Sequence, residues 1–340
     1  MLCHRLFNFG NRLRVRCAAF VAIICSFISP VFCQQAFDFS NQGSLDLDTP
    51  QRFKPVVGLE MGGIWLGRSA NKPQDLVFDG TGNLLLDSSQ LQGKMGAGLD
   101  STLNLFNFFS DQNAIDVQMR FFQAGDMQAH QTITATQVSP HFFSGVPAIP
   151  SNSYDINYET RIRSFESNLV ARTPYRIRFL AGFRFFEVDE IYDVIDNPNT
   201  SSSLRIGFFS KAENTMAGGQ LGAEGTLLSN GHSRVFGSFK WALLANDMVG
   251  SARASTAAGA PLQADARDSI TSQLLDFQLG SSLSLSRTLS FYAGYQGLMA
   301  SDIALALEQN KNASIFTNSN PVYTADTQWH GFKITGMATW

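Results

Sequence analysis

The chain has 340 residues, enough for one large β-domain or two ordinary ones, and carries 25 Lys+Arg against 28 Asp+Glu; four arginines (Arg5, Arg12, Arg14, Arg16) lie in residues 1–33, so the remainder holds 21 against 28, or −7. That acidic balance argues against nucleic acid as a partner, because phosphate binding calls for a basic surface. Charged residues make up only 16%, below the usual quarter of a soluble domain, while Phe alone supplies 29 residues, so one side of the chain is expected to face something other than water.

Residues 1–33 read as a secretory signal: a basic start, an apolar run from Cys17 to Phe32, and Val31 and Cys33 placed three and one before a cut at Gln34. All four cysteines (Cys3, Cys17, Cys25, Cys33) fall within it, so the mature chain is expected to have no disulfide, thiol nucleophile or zinc-thiolate site. Residues 34–53 are polar and acidic and read as a periplasmic tail; residues 54–340 are expected to form one unit.

From Lys54 onward, segments with a two-residue period recur, the signature of strands with two chemically different faces. Lys54 to Gly67 sets Val57, Leu59, Met61 and Trp65 on one face. Met95 to Phe109 and Ala114 to Gly125 follow, the latter with Ile115, Val117, Met119 and Phe121 against Asp116, Gln118 and Arg120. Tyr154 to Ala171 sets Tyr154, Ile156, Tyr158 and Ile162 against Asp155, Asn157, Glu159, Arg161 and Arg163, with an apparent slip of phase near Ser164. In Arg176 to Asp189, Ile177, Phe179, Ala181, Phe183 and Phe185 alternate with positions that include Arg176, Arg178 and Arg184. Ala217 to Leu228, Arg234 to Leu244, Ile270 to Ser286, Leu289 to Met299 and Thr327 to Trp340 repeat the pattern. These ten segments each approach or exceed the roughly 9 to 11 residues that a tilted strand needs to cross a bilayer.

Four connections are tight (Ser110 to Asn113, Arg172 to Tyr175, Ser229 to Ser233, Arg287 to Thr288) and five are long and polar, and the two kinds alternate without exception. The expected fold is therefore all-β: a transmembrane antiparallel up-and-down β-barrel in the outer membrane of a Gram-negative-type bacterium, with short periplasmic turns and long extracellular loops. Ten strands are expected, and twelve if Leu76 to Leu86 and Ile133 to Val138 contribute their own. Closure is required in lipid, where an open edge would leave amides unpaired. Trp340, ending an amphipathic last strand, is similar to the assembly signal of outer-membrane proteins, which makes outer-membrane lipid and the barrel assembly machinery the expected partners.

Four stretches, GFRFFEVDE (Gly182 to Glu190), NTMAGGQLG (Asn214 to Gly222), GYQGLMASDIALA (Gly294 to Ala306) and His330-Gly331, resemble the planctomycete β-barrel porin-7 family, in order over Lys54 to Trp340. The resemblance implies an outer-membrane barrel and supplies no catalytic residues.

The sequence carries few of the residue patterns that catalysis or metal binding requires. The mature histidines are His130, His141, His232 and His330; His130 and His141 share a long loop with Ser139 and Ser144, but no G-x-S-x-G elbow, H-E-x-x-H, P-loop or EF-hand spacing is present. No enzyme activity, metal or cofactor is expected, and the acid pairs Asp189 with Glu190 and Asp193 with Asp196 read as solvated charge rather than a calcium site. The polar strand faces are more informative. Parity sends Arg120, Arg161, Arg163, Arg178 and Arg184 to the lumen from three consecutive strands, with Glu60, Asp100, Glu224 and Asp276 at the same parity on others. Such charges either line a small, anion-preferring diffusion pore for solutes or ions, or pair into a network that plugs the barrel and leaves a non-conducting envelope protein acting through its outer loops.

Overall fold

The computed structural model describes residues 56–69, 75–79, 82–91, 94–107, 115–134, 138–140, 153–196, 207–230, 232–255, 262–309 and 322–340; the expected signal and tail lie outside them. Ten strands form a closed antiparallel meander: β1 (Val56–Ser69), β4 (Gly96–Phe106), β5 (Ile115–Thr134), β7 (Ser153–Arg172), β8 (Ile177–Asp196), β9 (Gly207–Asn230), β10 (Ser233–Ser255), β11 (Leu262–Ser284), β12 (Leu289–Ala304) and β13 (Thr324–Thr339). Each pairs with its neighbours in chain order, and β1 closes the ring by pairing with both β4 and β13. At that seam Trp340 and Val57 exchange both backbone hydrogen bonds at 3.0 Å. The hairpin expected over Leu76 to Leu86 exists, but as β2 (Asp75–Asp79) and β3 (Leu84–Asp87), which join β6 (Val138–Pro140) in a separate three-stranded sheet. The barrel count is therefore ten.

The strands run well past the segments that alternation marks out. Along β8, Ile177, Phe179, Ala181, Phe183 and Phe185 point out, and the outward positions beyond them are Glu187, Asp189, Ile191 and Asp193. The same change occurs between Phe165 and Arg163 on β7, Phe121 and Gln123 on β5, Ala217 and Thr215 on β9, and Leu275 and Gln273 on β11. Strand register lays these residues side by side, Phe121 beside Phe165 beside Phe185 beside Ala217. The boundary is thus continuous from strand to strand across β5, β7, β8 and β9. Below it lies an apolar girdle of about five outward residues per strand, or roughly 10 residues of strand length, which matches the hydrocarbon core of a bilayer.

Inside the barrel the polarity is reversed at the same level. Below the boundary β8 turns Arg178 and Arg184 inward; above it the inward residues are Phe186, Val188, Glu190, Tyr192 and Val194, all but Glu190 apolar or aromatic and all buried. The lower half is a membrane barrel, apolar outside and polar within, whereas the upper half is built like a water-soluble one. The tight turns at residues 173–176 and 285–288 lie at the lower end.

This two-level architecture predicts opposite outcomes for one substitution at two outward sites on β8. Ala181→Arg, at mid-girdle, places a cation in hydrocarbon and is expected to cost about 2–4 kcal/mol, whereas Ile191→Arg, above the boundary, should cost little. Folding into liposomes, followed by the mobility of unheated samples on gels, measures both; equal yields would mean that the boundary is misplaced.

Candidate functional site

At girdle height the lumen is crossed by a charged network. Arg120 on β5 is the hub: its Nη2 lies 2.5 Å from Asp100 Oδ2 and donates to Gln296 Oε1 at 2.8 Å, while Nη1 lies 3.4 Å from Glu166 Oε1 and 3.5 Å from Asp276 Oδ2. Arg184 on β8 reaches Asp276 at 3.1 Å and Glu166 at 3.7 Å, and donates from Nε to Ser164 Oγ at 3.2 Å. Lys240 on β10 lies 2.8 Å from Glu166 Oε2 across the barrel, and Lys333 on β13 bridges Glu60 at 3.0 Å and Asp100 at 3.2 Å. Gln220, Asn168 and Gln118 extend the lattice between the walls.

Burial makes these bonds consequential. Asp100, Glu166, Arg184 and Asp276 have no exposed surface, and Arg120, Lys240 and Lys333 have 5% or less. Isolated charges in such a place would be far too costly, so each persists only because it is paired and hydrogen-bonded. The four cations (Arg120, Arg184, Lys240, Lys333) balance the four acids (Glu60, Asp100, Glu166, Asp276). The planar guanidinium groups of Arg120 and Arg184 also lie over aromatic rings, Arg120 at 4.8 Å from the Phe122 centroid and Arg184 at 5.5 Å from Phe186. A glycine makes room beside them: a Cβ on Gly182 would lie 2.1 Å from Ser167 O and 2.4 Å from Asn168 Oδ1.

Of the nine charges expected in the lumen, Arg120, Arg184, Glu60, Asp100 and Asp276 belong to the network, and Arg178 and Glu224 form a separate pair at 2.6 Å near the lower rim. Arg161 and Arg163 do not face the lumen. Their side chains are 53% and 50% exposed on the outer surface, bridging Glu159 at 2.7 Å and Glu187 at 3.2 Å. Parity fails there because β7 has no phase slip at Ser164: Tyr154, Ile156, Tyr158 and Ile162 all point inward, above the boundary where apolar side chains fill the barrel. Three members of the lattice, Glu166, Lys240 and Lys333, are not among the lumen charges expected from sequence, although alternation sets Lys240 and Lys333 on the polar faces of their strands. Glu166 was hidden by the supposed slip.

Above the network two apolar layers fill the barrel, one around Phe122, Phe186, Leu244 and Trp329, the other around Tyr158, Tyr192, Phe208 and Met248. The upper layer also takes in Leu76, Val77, Leu86 and Leu91, from β2, β3 and the short 3-10 turn that follows. The connection after β12 was expected to be polar loop, yet it turns into the barrel. Residues 303–309, including α1 (Ala306–Gln309), are all buried. The wall holds their backbone: Asn214 Nδ2 donates to Ala304 O and its Oδ1 accepts from Ala304 N, both at 2.7 Å; Ser210 Oγ donates to Ala306 O at 2.7 Å; and Glu190 Oε2 accepts from Ala306 N at 3.1 Å. Gln309 packs closely over Gly250, where a Cβ would lie 2.9 Å from Gln309 Oε1. Arg68 Nε, 3.1 Å from Glu190, balances that acid. Glu190 is thus a structural charge inside the barrel and Asp189 an outward one, so the expected solvated acid pair is split between two faces.

The remaining candidates are peripheral. His130 is exposed on β5, its Nδ1 2.7 Å from Asn157 Oδ1, while His141 and Ser144 lie outside the described residues. His330 sits at the upper edge of the girdle, stacked on Tyr295 at 6.1 Å.

No family model matches the chain, and no curated protein does. Similar solved structures include the outer membrane protease OmpT from Escherichia coli (10% identity, 85% of this chain and 97% of that one, TM-score 0.37), the P. putida toluene transporter TodX (8%, 84% and 89%, 0.37) and the translocator domain of the autotransporter NalP from Neisseria meningitidis (10%, 84% and 89%, 0.36). The apolar girdle, the closed ring of strands and the sorting of short turns to one end make this chain an outer-membrane β-barrel.

The network predicts a steep difference between a buried charge and an exposed one. Glu166→Gln strands Lys240, Arg120 and Arg184 in the lumen and is expected to destabilise the barrel by about 3–5 kcal/mol, whereas removing exposed Arg161 should change it by at most about 1 kcal/mol. Adding Lys240→Met to Glu166→Gln should recover part of the loss. Urea unfolding of the lipid-inserted protein decides; similar midpoints for Glu166→Gln and Arg161→Gln would refute the assignment.

Proposed function

We propose that this chain is a non-conducting outer-membrane barrel, an anchor that holds a rigid platform above the bilayer and acts through its outer surface. The observation that carries this reading is the filled lumen: a charge-balanced lattice at girdle height, two apolar layers above it and an inward-folded segment at the top. Open channels become secure near sixteen strands, and barrels about half that size are filled by side chains; ten strands with this packing fall on the filled side. The function expected first from the sequence, a small anion-preferring diffusion pore, would need uncompensated arginines along the passage, and here Arg120 and Arg184 are neutralised while Arg161 and Arg163 lie outside.

The upper half gives the anchor something to present. Above the boundary β8 to β11 each continue for about 10 residues, which at roughly 3.4 Å per residue and a tilt of roughly 40° raises the barrel end about 25 Å from the hydrocarbon. Its outer face is polar and charged, with the ion pairs of Arg161 and Arg163 among acids on β7 and β8. An envelope structural protein or a surface-binding one would use this face and the connections beyond it, and no enzyme activity is part of the proposal.

Reconstitution in planar bilayers tests it. The wild-type protein should add no stepwise conductance. Reproducible ohmic steps, above all with an anion-selective reversal potential in a salt gradient, would return the chain to the pore reading.

A further inference from the structure

The turn-side rim carries a charge that the lumen lattice does not use. Among the described residues this rim has five arginines (Arg172, Arg176, Arg178, Arg234, Arg287) and two acids, Asp116 and Glu224. Both acids are engaged, Asp116 with Arg172 at 3.1 Å and Glu224 with Arg178 at 2.6 Å. Arg176 and Arg234 have no ion pair among the described residues, and both are tied to the same position. Arg176 Nη1 donates to Ser229 Oγ at 2.9 Å, and Arg234 is the strand partner of that same Ser229. Arg234 and Ser229 thus stand side by side on neighbouring strands, at the place Arg176 reaches, and neither acid of that set pairs with Arg176 or Arg234.

The backbone is shaped to bring them there. Arg176 adopts φ +61°, a left-handed conformation that is costly for a side chain of its size, and its carbonyl accepts from Thr226 N at 3.1 Å. On β9 the pairing passes from Thr226 opposite Phe236 to Leu228 opposite Val235, leaving Leu227 as the extra residue of a β-bulge. The bulge leaves two consecutive leucines exposed, 62% and 69%, and shifts Ser229 to the parity of Arg234; Tyr175, 82% exposed, precedes Arg176. Basic groups therefore sit beside apolar surface at the lower edge of the girdle.

We propose that Arg176, Arg234 and Ser229 form a binding site for a phosphate-type oxyanion at the turn-side rim. Two guanidinium groups supply forked N–H donors, which match phosphate oxygens, and the Ser229 hydroxyl, whose oxygen already accepts from Arg176, has its own hydrogen free to donate. The anion relieves the repulsion between the two cations. Its source is either the headgroup of an anionic phospholipid, whose chains would lie against Leu227 and Leu228, or free phosphate at the lower mouth. This inference rests on the membrane placement argued above.

Native mass spectrometry of the detergent-solubilised full barrel tests the site, with phosphatidylglycerol, phosphatidylcholine of the same chains and inorganic phosphate as probes. The wild type should retain phosphatidylglycerol about tenfold better than phosphatidylcholine, or bind inorganic phosphate alone; Arg176→Gln with Arg234→Gln should abolish that preference while unheated gel mobility still reports a folded barrel. A lipid source predicts adducts that inorganic phosphate does not displace, and a free-phosphate source predicts displacement. If the double variant does not fold, the single Arg234→Gln carries the same comparison. Equal retention of both lipids without phosphate binding, or wild-type retention by the folded variant, overturns the site; a chain that folds in no detergent or bilayer overturns the membrane placement instead.

Discussion

Eight charged side chains inside a barrel that sits in hydrocarbon impose the strictest condition on this fold. Water cannot solvate them there, and an unpaired member costs several kcal/mol. Every wall strand at that height must therefore deliver its charge or amide to the right partner at the right depth. Glu166 meets Lys240, Arg120 and Arg184 only when β7, β10, β5 and β8 are all in register. A slip of one residue would turn Glu166 outward into lipid and set Phe165 in the lattice, so the network specifies register as well as contributing to stability.

The same requirement explains why polarity changes at a single level. Below the boundary lipid selects apolar residues outside, and the lumen then keeps the polar ones. Above it water lies outside, so the apolar residues move inward, and the barrel is held by a core of Tyr, Phe, Val and Met like that of a soluble protein. No kink or domain break is needed: strands β8 to β11 run through both regions without interruption in the barrel, and only the face that carries the apolar residues is exchanged.

That exchange marks the limit of what alternation could reveal. A two-residue period separates two faces but does not say which is inside, because that depends on the solvent at each height. In the girdle lipid was the correct assumption, so ten strands, their order, the turn end and the inward aim of Arg120, Arg178, Arg184, Glu60, Asp100, Glu224 and Asp276 were legible. On upper β7 the same assumption placed Tyr154 to Ile162 in lipid and Arg161 and Arg163 in the lumen, and the contradiction surfaced as a phantom slip at Ser164. The one register shift between β5 and β7 lies at Ala124 to Met127, where Gly125 and a neighbour bulge, and the sequence around it shows only a glycine. Residues 303–309 were opaque for another reason: a segment buried on all sides has no alternation to read, and its polar neighbours made it look like a loop.

The proposed closure of this lumen rests on several independent sets of contacts. A single gate can be moved by a modest bias, as when one lid covers an otherwise open passage. Here the lattice, the two apolar layers and the segment at 303–309 are stacked, and each is joined to different strands. Asn214 and Ser210 hold the segment from β9, and Glu190, neutralised by Arg68, holds it from β8 and β1. Opening a path would require breaking buried pairs at girdle height and separating apolar side chains above it. The stretches that mark this chain out in sequence map onto these closing devices: Gly182 to Glu190 supplies Arg184, Phe186 and Glu190, Asn214 to Gly222 supplies Asn214 and Gln220, and Gly294 to Ala306 supplies Gln296 and the start of the inward segment. In the proposed reading, residues concentrated in that way keep the barrel shut and rigid, and its two rims and raised outer face are then the surfaces through which it would meet other molecules.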